Sequence, residues 1–340
     1  MPIALYLMKQ LFNPEDIERK VILILKILHE NPESLGARVI ARKMEERGIQ
    51  LSERTVRYHL KLMDERGLTK LIGRRDGRTI TNLGLDEITN ARVRDKISLS
   101  ISRIDVLSFK TTFDLKKRRG LVPVNISFFP QNQFKKALAV MKPVFKKKIA
   151  VSDRVAVAPA GKKLGDVVIP EGKIGLATVC SILINSVFLR YGIPIDSKFG
   201  GILQVKNGEP LRFVELINYS GSSLDPSEIF IRGKMTSVKE VVEKGEGNIL
   251  ANFREIPSIS RALVENVIAD FDKAGIRGAL SIGTVGAPIC QTDVDINRVG
   301  MILLGGLNPV AAAYEEGFDV DNKAMSTVME YETLRGIEEI

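Results

Sequence analysis

The residues whose types and spacing point most directly to chemistry lie in SERTVRYHLKLMDERG, Ser52 to Gly67. Val56, Leu60 and Met63 recur at helical spacing and form one apolar stripe, which leaves Arg54, Arg57, Tyr58 and Lys61 on faces open to a partner. A basic face carrying one aromatic residue suits contact with phosphates and base edges. Ser52, Arg54, Thr55, Arg57, Tyr58 and Lys61 are therefore the candidate DNA contacts of this segment. Ser52 stands where an N-cap accepts orphan backbone N–H groups, and Gly67 where a helix can end with positive φ. Read alone, the segment also fits an ordinary surface helix with solvated charges.

A second set of small hydrogen-bonding residues sits where apolar strands hand over to helices. Thr178, Cys180 and Ser181 precede or open one helix, and Gly305, Gly306, Asn308 and Pro309 open another. Helix N-termini present free N–H groups and a partial positive charge, so two facing ones could hold a small dianion. Lys198, matched downstream by Lys323, is the candidate cation. The candidate ligand-binding set is Thr178, Cys180, Ser181, Lys198, Gly306 and Asn308, with plain helix capping as the alternative. Gly283, Thr284, Gly286 and Pro288 make a further glycine-rich loop, but no GxGxxG or Walker spacing marks a nucleotide site. The chain has two histidines, His29 and His59. Cys180 therefore has no histidine in its own domain to deprotonate it, and a small residue at a helix start is the simpler role. No catalytic or metal-ligating set stands out, and no cofactor is expected.

Composition narrows the remaining classes. With 340 residues, 44% of them hydrophobic and 27% charged, the chain has the makeup of a globular protein of two or three domains. The net charge of +9 is unevenly placed: residues 1–91 carry 16 basic and 13 acidic side chains, 92–151 carry 15 and 3, and 152–340 carry 19 and 25. A basic zone beside a DNA reader suggests attraction to the phosphate backbone, with solubility as the competing explanation. Cys180 and Cys290 fit neither a disulfide framework nor a metal spacing, which favours a reducing, cytoplasmic setting. The opening MPIALYLMKQLF lacks a long apolar core and a cleavage site, and no apolar run reaches the roughly 18 residues a membrane helix needs. A soluble protein without a membrane partner is expected.

The positioning elements follow from period and punctuation. After Asn13-Pro14, the stripe Ile17, Val21, Ile24, Leu25, Leu28 predicts a first helix ending near Asn31-Pro32. Ser34 begins a second, with Val39, Ile40 and Met44 apolar and Arg47-Gly48 closing it. The segment from Leu68 to Asn82 reads as a hairpin around Asp76-Gly77. Three helices and a basic hairpin make a winged helix-turn-helix, in which the third helix enters the major groove while Arg74, Arg75 and Arg78 lie along the neighbouring backbone or minor groove. Winged helices that dock proteins are the alternative. Beyond Ala91 the alternation SLSISRIDVLS, Ser98 to Ser108, predicts a half-buried strand. Lys116 to Arg119 reads as a solvated loop.

The remainder reads as an internal duplication. Gly120, Asn125 and Pro130 are spaced five and five, and Gly247, Asn252 and Pro257 repeat that spacing 127 residues later. Further on, Gly161, Gly175, Gly192, Asp196 and Lys198 recur at an offset of 125 as Gly286, Gly300, Gly317, Asp321 and Lys323. Each half predicts strand, helix, strand, strand, helix, strand, the order of a split β-α-β sandwich. The expected class is α+β: a winged helix-turn-helix over 1–90, then a duplicated β-α-β-β-α-β regulatory domain over 91–340, with halves at about 91–212 and 213–340. A single winged helix covers too few base pairs to select one operator, so a homo-oligomer, at least a dimer, is expected through the duplicated domain.

The stretches ERTVRYHLKLMDERGL, IPEGKIGLATVCSILINSVFLRYGIPIDSKFGGILQV and VDINRVGMILLGGLNPVAAAYEEG resemble the NrpR family, the nitrogen-assimilation repressors of methanogenic archaea. The likeness covers nearly the whole chain. It implies a repressor of nitrogen-fixation and glutamine-synthetase genes that binds palindromic operator DNA as an oligomer and is released by 2-oxoglutarate. The identity of that effector comes from the resemblance alone; the dianion site at helix starts rests on the residues. The rival class is an enzyme acting on a small carboxylic acid with a DNA-binding appendage, which a paired acid and base beside a reactive side chain would mark.

Overall fold

The computed structural model describes residues 14–31, 33–73, 77–90 and 99–340, with backbone only at 14–16, 89–90 and 99. The chain divides into two compact units, Met1–Ser102 and Arg103–Ile340.

In the first unit α1 (Pro14–His29), α2 (Ala37–Glu45) and α3 (Glu53–Glu65) share one apolar core. Val21, Ile24, Leu25 and Leu28 of α1, Ile40 and Met44 of α2, and Val56, Leu60 and Met63 of α3 are each at most 2% exposed. These are the stripes that the helical period demands. Helix α2 starts later than Ser34, behind Gly36 as N-cap with no side-chain cap bond. Strands β1 (Thr69–Gly73) and β2 (Gly77–Ile80) pair antiparallel, and α4 (Asn82–Asn90) follows. Leu35 adds a short third strand, exchanging two 3.0 Å backbone bonds with Arg78. That approach requires Gly77, which has φ +87° and where a Cβ would lie 2.3 Å from the Leu35 carbonyl carbon. Asn13, Pro32, Arg74, Arg75 and Asp76 lie outside the described residues.

The predicted strand over Ser98–Ser108 is corrected: the described part of this segment belongs to a helix, α5 (Leu99–Lys110). Ser100, Ile104, Leu107, Ser108 and the following Thr111 are buried, a spacing of four, three, one and three that fits the period of 3.6. The alternation rests on Leu99, Ile101, Ile104 and Val106, whereas the buried apolar pair is Ile104 and Leu107, three apart, and packing chose the helix. Lys116 to Arg119 form an exposed turn.

Strand, helix, strand, strand, helix, strand then occurs twice. The first set is β3 (Leu121–Pro130), α6 (Phe134–Lys146), β4 (Arg154–Pro159), then past the small hairpin β5 (Lys163–Leu164) and β6 (Val167–Val168) to β7 (Lys173–Val179), α7 (Ile182–Arg190) and β8 (Asp196–Lys206). Between the sets lie β9 (Glu209–Asn218), α8 (Pro226–Arg232) and α9 (Val238–Lys244). The second set is β10 (Gly247–Pro257), α10 (Arg261–Lys273), β11 (Ala279–Val285), β12 (Arg298–Leu304), α11 (Asn308–Glu315) and β13 (Asp321–Glu330), followed by β14 (Arg335–Gly336). The expected half boundary at 212/213 falls inside β9, and β9, α8 and α9 had no counterpart in the sequence reading.

Each set gives its last strand to the other's sheet. One sheet runs β13-β3-β7-β4-β14 and the other β11-β12-β10-β8-β9. Strand β8 therefore pairs with β10, opposing Gly200 to Asn252, and β13 pairs with β3. Neither sheet can form from one set alone. Helices α7 and α11 are buried from Ile182 to Phe188 and from Asn308 to Ala313, so they belong to the core rather than to an outer layer.

Candidate functional site

Each unit carries a candidate site. On α3, the Ser52 Oγ accepts from the Thr55 N–H at 3.1 Å and caps the helix, and Gly67 has φ +71° at the other end. Arg54, Arg57, Tyr58 and Lys61 are exposed, Tyr58 to 57%. The four share the solvent side because the core holds Val56, His59, Leu60 and Met63. Arg57 pairs with Glu53 one turn back, and both side chains are solvated, so the pair is weak and leaves the guanidinium open to another anion. Arg78 departs from expectation. Its Nε donates to Asp64 Oδ2 at 2.8 Å and its side chain is 19% exposed. Thr69 Oγ1 donates to the other Asp64 oxygen at 2.5 Å. Arg78 is thus a strut that fastens the hairpin to α3, not a free backbone contact. Arg74 and Arg75, the other expected hairpin contacts, lie outside the described residues.

The second unit holds a small cavity of about 20 Å³, room for about one water molecule. Its polar lining includes Asn125, Cys180, Ser181, Tyr219, Asp225, Asn252 and Arg254, with Gly306, Ile104 and Met325 completing the wall. These residues come from both sheets, from the starts of α7 and α11, and from α5. Asn252 Oδ1 accepts from the Tyr219 hydroxyl at 2.5 Å and its Nδ2 donates to Ser181 Oγ at 3.1 Å. Asn125 Oδ1 accepts from the Met325 N–H at 3.0 Å. At Gly306 a Cβ would come within 2.6 Å of Asn125 Nδ2 and of the Val179 carbonyl oxygen, so the wall there admits no side chain.

Arg254 is the distinctive group. It is 1% exposed, its guanidinium lies 4.9 Å from the Tyr219 ring centroid, and it donates one bond to its neighbour's carbonyl, that of Phe253, at 3.3 Å. Its Nε is buried without a hydrogen-bond partner, and no carboxylate among the described residues forms an ion pair with it. A buried cation left in that state is costly, and a planar carboxylate is the group that best satisfies it. Burial pushes the Tyr219 hydroxyl and the Cys180 thiol each up to about 12, which favours their protonated forms. Asp225 is also raised by burial, against bonds from the Glu228 and Ser227 N–H groups as it caps α8.

The structure gathers part of the expected effector set. Cys180, Ser181 and Gly306 line the cavity. Thr178 is buried in β7 outside the lining, its hydroxyl without a hydrogen-bond partner. Asn308 is engaged elsewhere: Oδ1 accepts from Leu250 N–H at 2.8 Å and Nδ2 donates to Leu250 O at 3.0 Å. Lys198 also stands apart, with Nζ 2.9 Å from Asp295, 3.0 Å from Asp196 and 3.1 Å from Glu255. The hydrogen bond to Asp295, then those to Asp196 and Glu255, push its pKa upward. Lys323 sits 5.4 Å from the Phe128 ring centroid. Asn308 and Lys198 are therefore corrected to structural roles. The cation of the cavity is Arg254, and its signal was the Arg254-Glu255 pair inside the otherwise mostly apolar strand ILANFREIP. Asn125 and Asn252 were visible as members of a repeated spacing whose chemical use was not.

Comparison with known proteins bears on both units. Residues 97–336 match the family model described as NrpR regulatory domains NRD1 and 2, and residues 22–88 match the winged-helix domain of ribonuclease R. The chain is 38% identical to the global nitrogen regulator NrpRI of Methanosarcina mazei, over 94% of this chain and 98% of that protein. It is 33% identical to the global nitrogen regulator NrpR of Methanocaldococcus jannaschii over 94% of this chain, and spans 55% of that longer relative. The crystal structure of a nitrogen repressor-like protein from Methanococcus jannaschii superposes with a TM-score of 0.60 at 27% identity, covering 70% of this chain and 98% of that one. A match that runs through the cavity-bearing unit, joined to relatives alike over almost the entire chain, leads to one conclusion: the chain belongs to the NrpR family of nitrogen regulators.

Proposed function

We propose that this regulator is a transcriptional repressor that holds palindromic operator DNA through α3 and its hairpin, as at least a dimer, and lets go when 2-oxoglutarate occupies the Arg254 cavity. The observation that carries the reading is Arg254, a buried guanidinium with an unpartnered Nε beside the starts of two buried helices. A dicarboxylate supplies what that group lacks, and Ser181, Asn125 and Asn252 are at hand for its remaining oxygens. A cavity of about 20 Å³ is smaller than a five-carbon diacid, so binding selects a form in which the walls have parted. Ile104 is one of those walls. It lies on α5, the stretch of chain that leads from the first unit into the second, and this gives the ligand a covalent route to the winged helix.

Operator binding titrated with 2-oxoglutarate, beside glutarate and succinate, tests the reading. Release by 2-oxoglutarate at concentrations where the shorter or keto-less acids fail supports it. Equal insensitivity to all three, or turnover of any of them into a product, removes it.

A further inference from the structure

The outer face of α6 concentrates positive charge that neither candidate site uses. Residues 115–152 contain ten Lys and Arg and no Asp or Glu. Six of these are Lys135, Lys136, Lys142, Lys146, Lys147 and Lys148, in α6 or directly after it. The inward stripe of the helix, from Phe134 to Phe145, is apolar and buried, and all six lysines except the half-buried Lys142 are exposed. Among the described residues one ion pair reaches the group, Lys146 to Glu338 at 3.3 Å.

Three placements work against local stability, and each adds positive charge. Lys135 and Lys136 occupy a first turn that holds no acidic residue, at the positive end of the helix dipole. Lys142 and Lys146 stand one turn apart, where like charges repel. Lys148 has φ +64° just past the C-cap, where its N–H bonds to Phe145 O and that of Ile149 to Val144 O; glycine takes this left-handed helix end without strain. Solvation needs none of these choices. Locally unfavourable residues that agree in one property mark a surface that uses that property.

We infer that this face is a second polyanion-contact surface, and that its partner is the phosphate backbone of duplex DNA. Lysines on flexible stems, with no aromatic or arginine among the six, suit phosphates that need charge without fixed geometry, whereas protein interfaces are depleted in lysine. Lys135 to Lys146 spans about 17 Å of helix, the length of about five base-pair steps. The choice of DNA rests on the reading of the first unit as a DNA binder, which brings a duplex to the same molecule. Contacts of this kind add affinity without sequence preference.

The test takes the full chain and a random-sequence duplex of about 40 bp, roughly four helical turns. Wild type, Lys135→Glu/Lys136→Glu and Lys148→Gly are compared for Tm and for affinity across salt concentrations. Both variants relieve an unfavourable placement, so both are expected to melt at or above the wild type. Both are also expected to bind DNA more weakly, the slope of log K against log salt shrinking by about 1 for each lysine lost. Rising stability with falling affinity is an outcome that a merely structural role does not produce. Slopes equal to the wild type in both variants overturn the inference and leave an acidic protein as the partner of this face. A wild-type chain that does not bind the duplex at all overturns the DNA reading of the first unit as well.

Discussion

Arginine appears in two settings in this chain, and its surroundings give it opposite tasks. On α3, Arg57 is 69% exposed beside a solvated Glu53; its charge is screened by water, contributes little to folding, and is available to any phosphate or guanine edge that arrives. In β10, Arg254 is 1% exposed and its Nε has no hydrogen-bond partner; its charge is undiluted by solvent, a setting suited to one small anion of matching shape. An exposed cation attracts many partners weakly. A buried one holds few partners strongly and destabilises the protein until one is present.

The largest expected effect tests the buried side of that contrast. Arg254→Met should weaken 2-oxoglutarate binding by about 2–5 kcal/mol, since a charged partner is removed from a desolvated site, while Tm stays level or rises because a buried, unpaired charge is gone. Calorimetric titration with parallel melting checks both halves, and a variant that binds normally or collapses would overturn the role assigned to Arg254.

The exposed side is sharpened by setting Arg57 against Arg78. Arg57→Ala should relax base preference at one operator position by about 1–3 kcal/mol without moving Tm. Arg78→Ala, which breaks the bonds to Asp64, should lower the stability of the first unit by about 1–2 kcal/mol and weaken all sequences alike. Selection of operators from a randomised pool, read beside melting curves, separates the two. Loss of preference in Arg78→Ala would return that residue to the DNA surface.

Burial acts on acids as well. Glu228 accepts from the Ala324 N–H at 2.8 Å next to the cavity wall, and burial, then the charge of Asp225, raise its pKa to about 7 against the opposing pull of Arg103 and Arg232. A carboxyl raised above its unfolded value binds its proton more tightly in the folded state. It therefore adds stability that is complete below about pH 4.5 and lost as pH climbs through about 7, on the order of 3 kcal/mol. Melting followed from pH 4.5 to 8 should show that decline, and Glu228→Gln should flatten it; an unchanged profile in the variant means another group titrates.

The smallest effect returns to α3. Ser52→Ala removes a cap and should cost about 1 kcal/mol of stability in the first unit, measured by denaturant titration, with base preference intact because Ser52 acts on the helix end.

The winged helix was legible because it is built from near neighbours. The stripes of α1, α2 and α3, the Ser52 cap and the Gly67 end are all set by residues within a few positions of one another, and exposed Arg57 and Tyr58 follow once the stripe is drawn. Outside β9, α8 and α9, most of the strand and helix order after Gly120 was legible for the same reason, as was the placing of Cys180, Ser181 and Gly306 where an apolar strand meets a helix start. Over Ser98–Ser108 local pattern failed, since so few residues satisfy two periods and only burial of Ile104 and Leu107 decides between them.

What the sequence alone determined, then, is much of what is set by near neighbours: the apolar faces of α1, α2 and α3, the ends of α3 and the clustering of charge along the chain. The tertiary structure decided which sheet β8 and β13 join, and with it the cavity, because strand pairing depends on partners far apart in sequence. Asn125 meets Met325 and Asn252 meets Ser181 across 200 and 71 positions. Only that exchange buries Arg254 outside any ion pair among the described residues and leaves Lys198, an equally plausible cation by spacing, neutralised among Asp295, Asp196 and Glu255. A charge's task depends on its solvation and its partners, and both are properties of the packed chain.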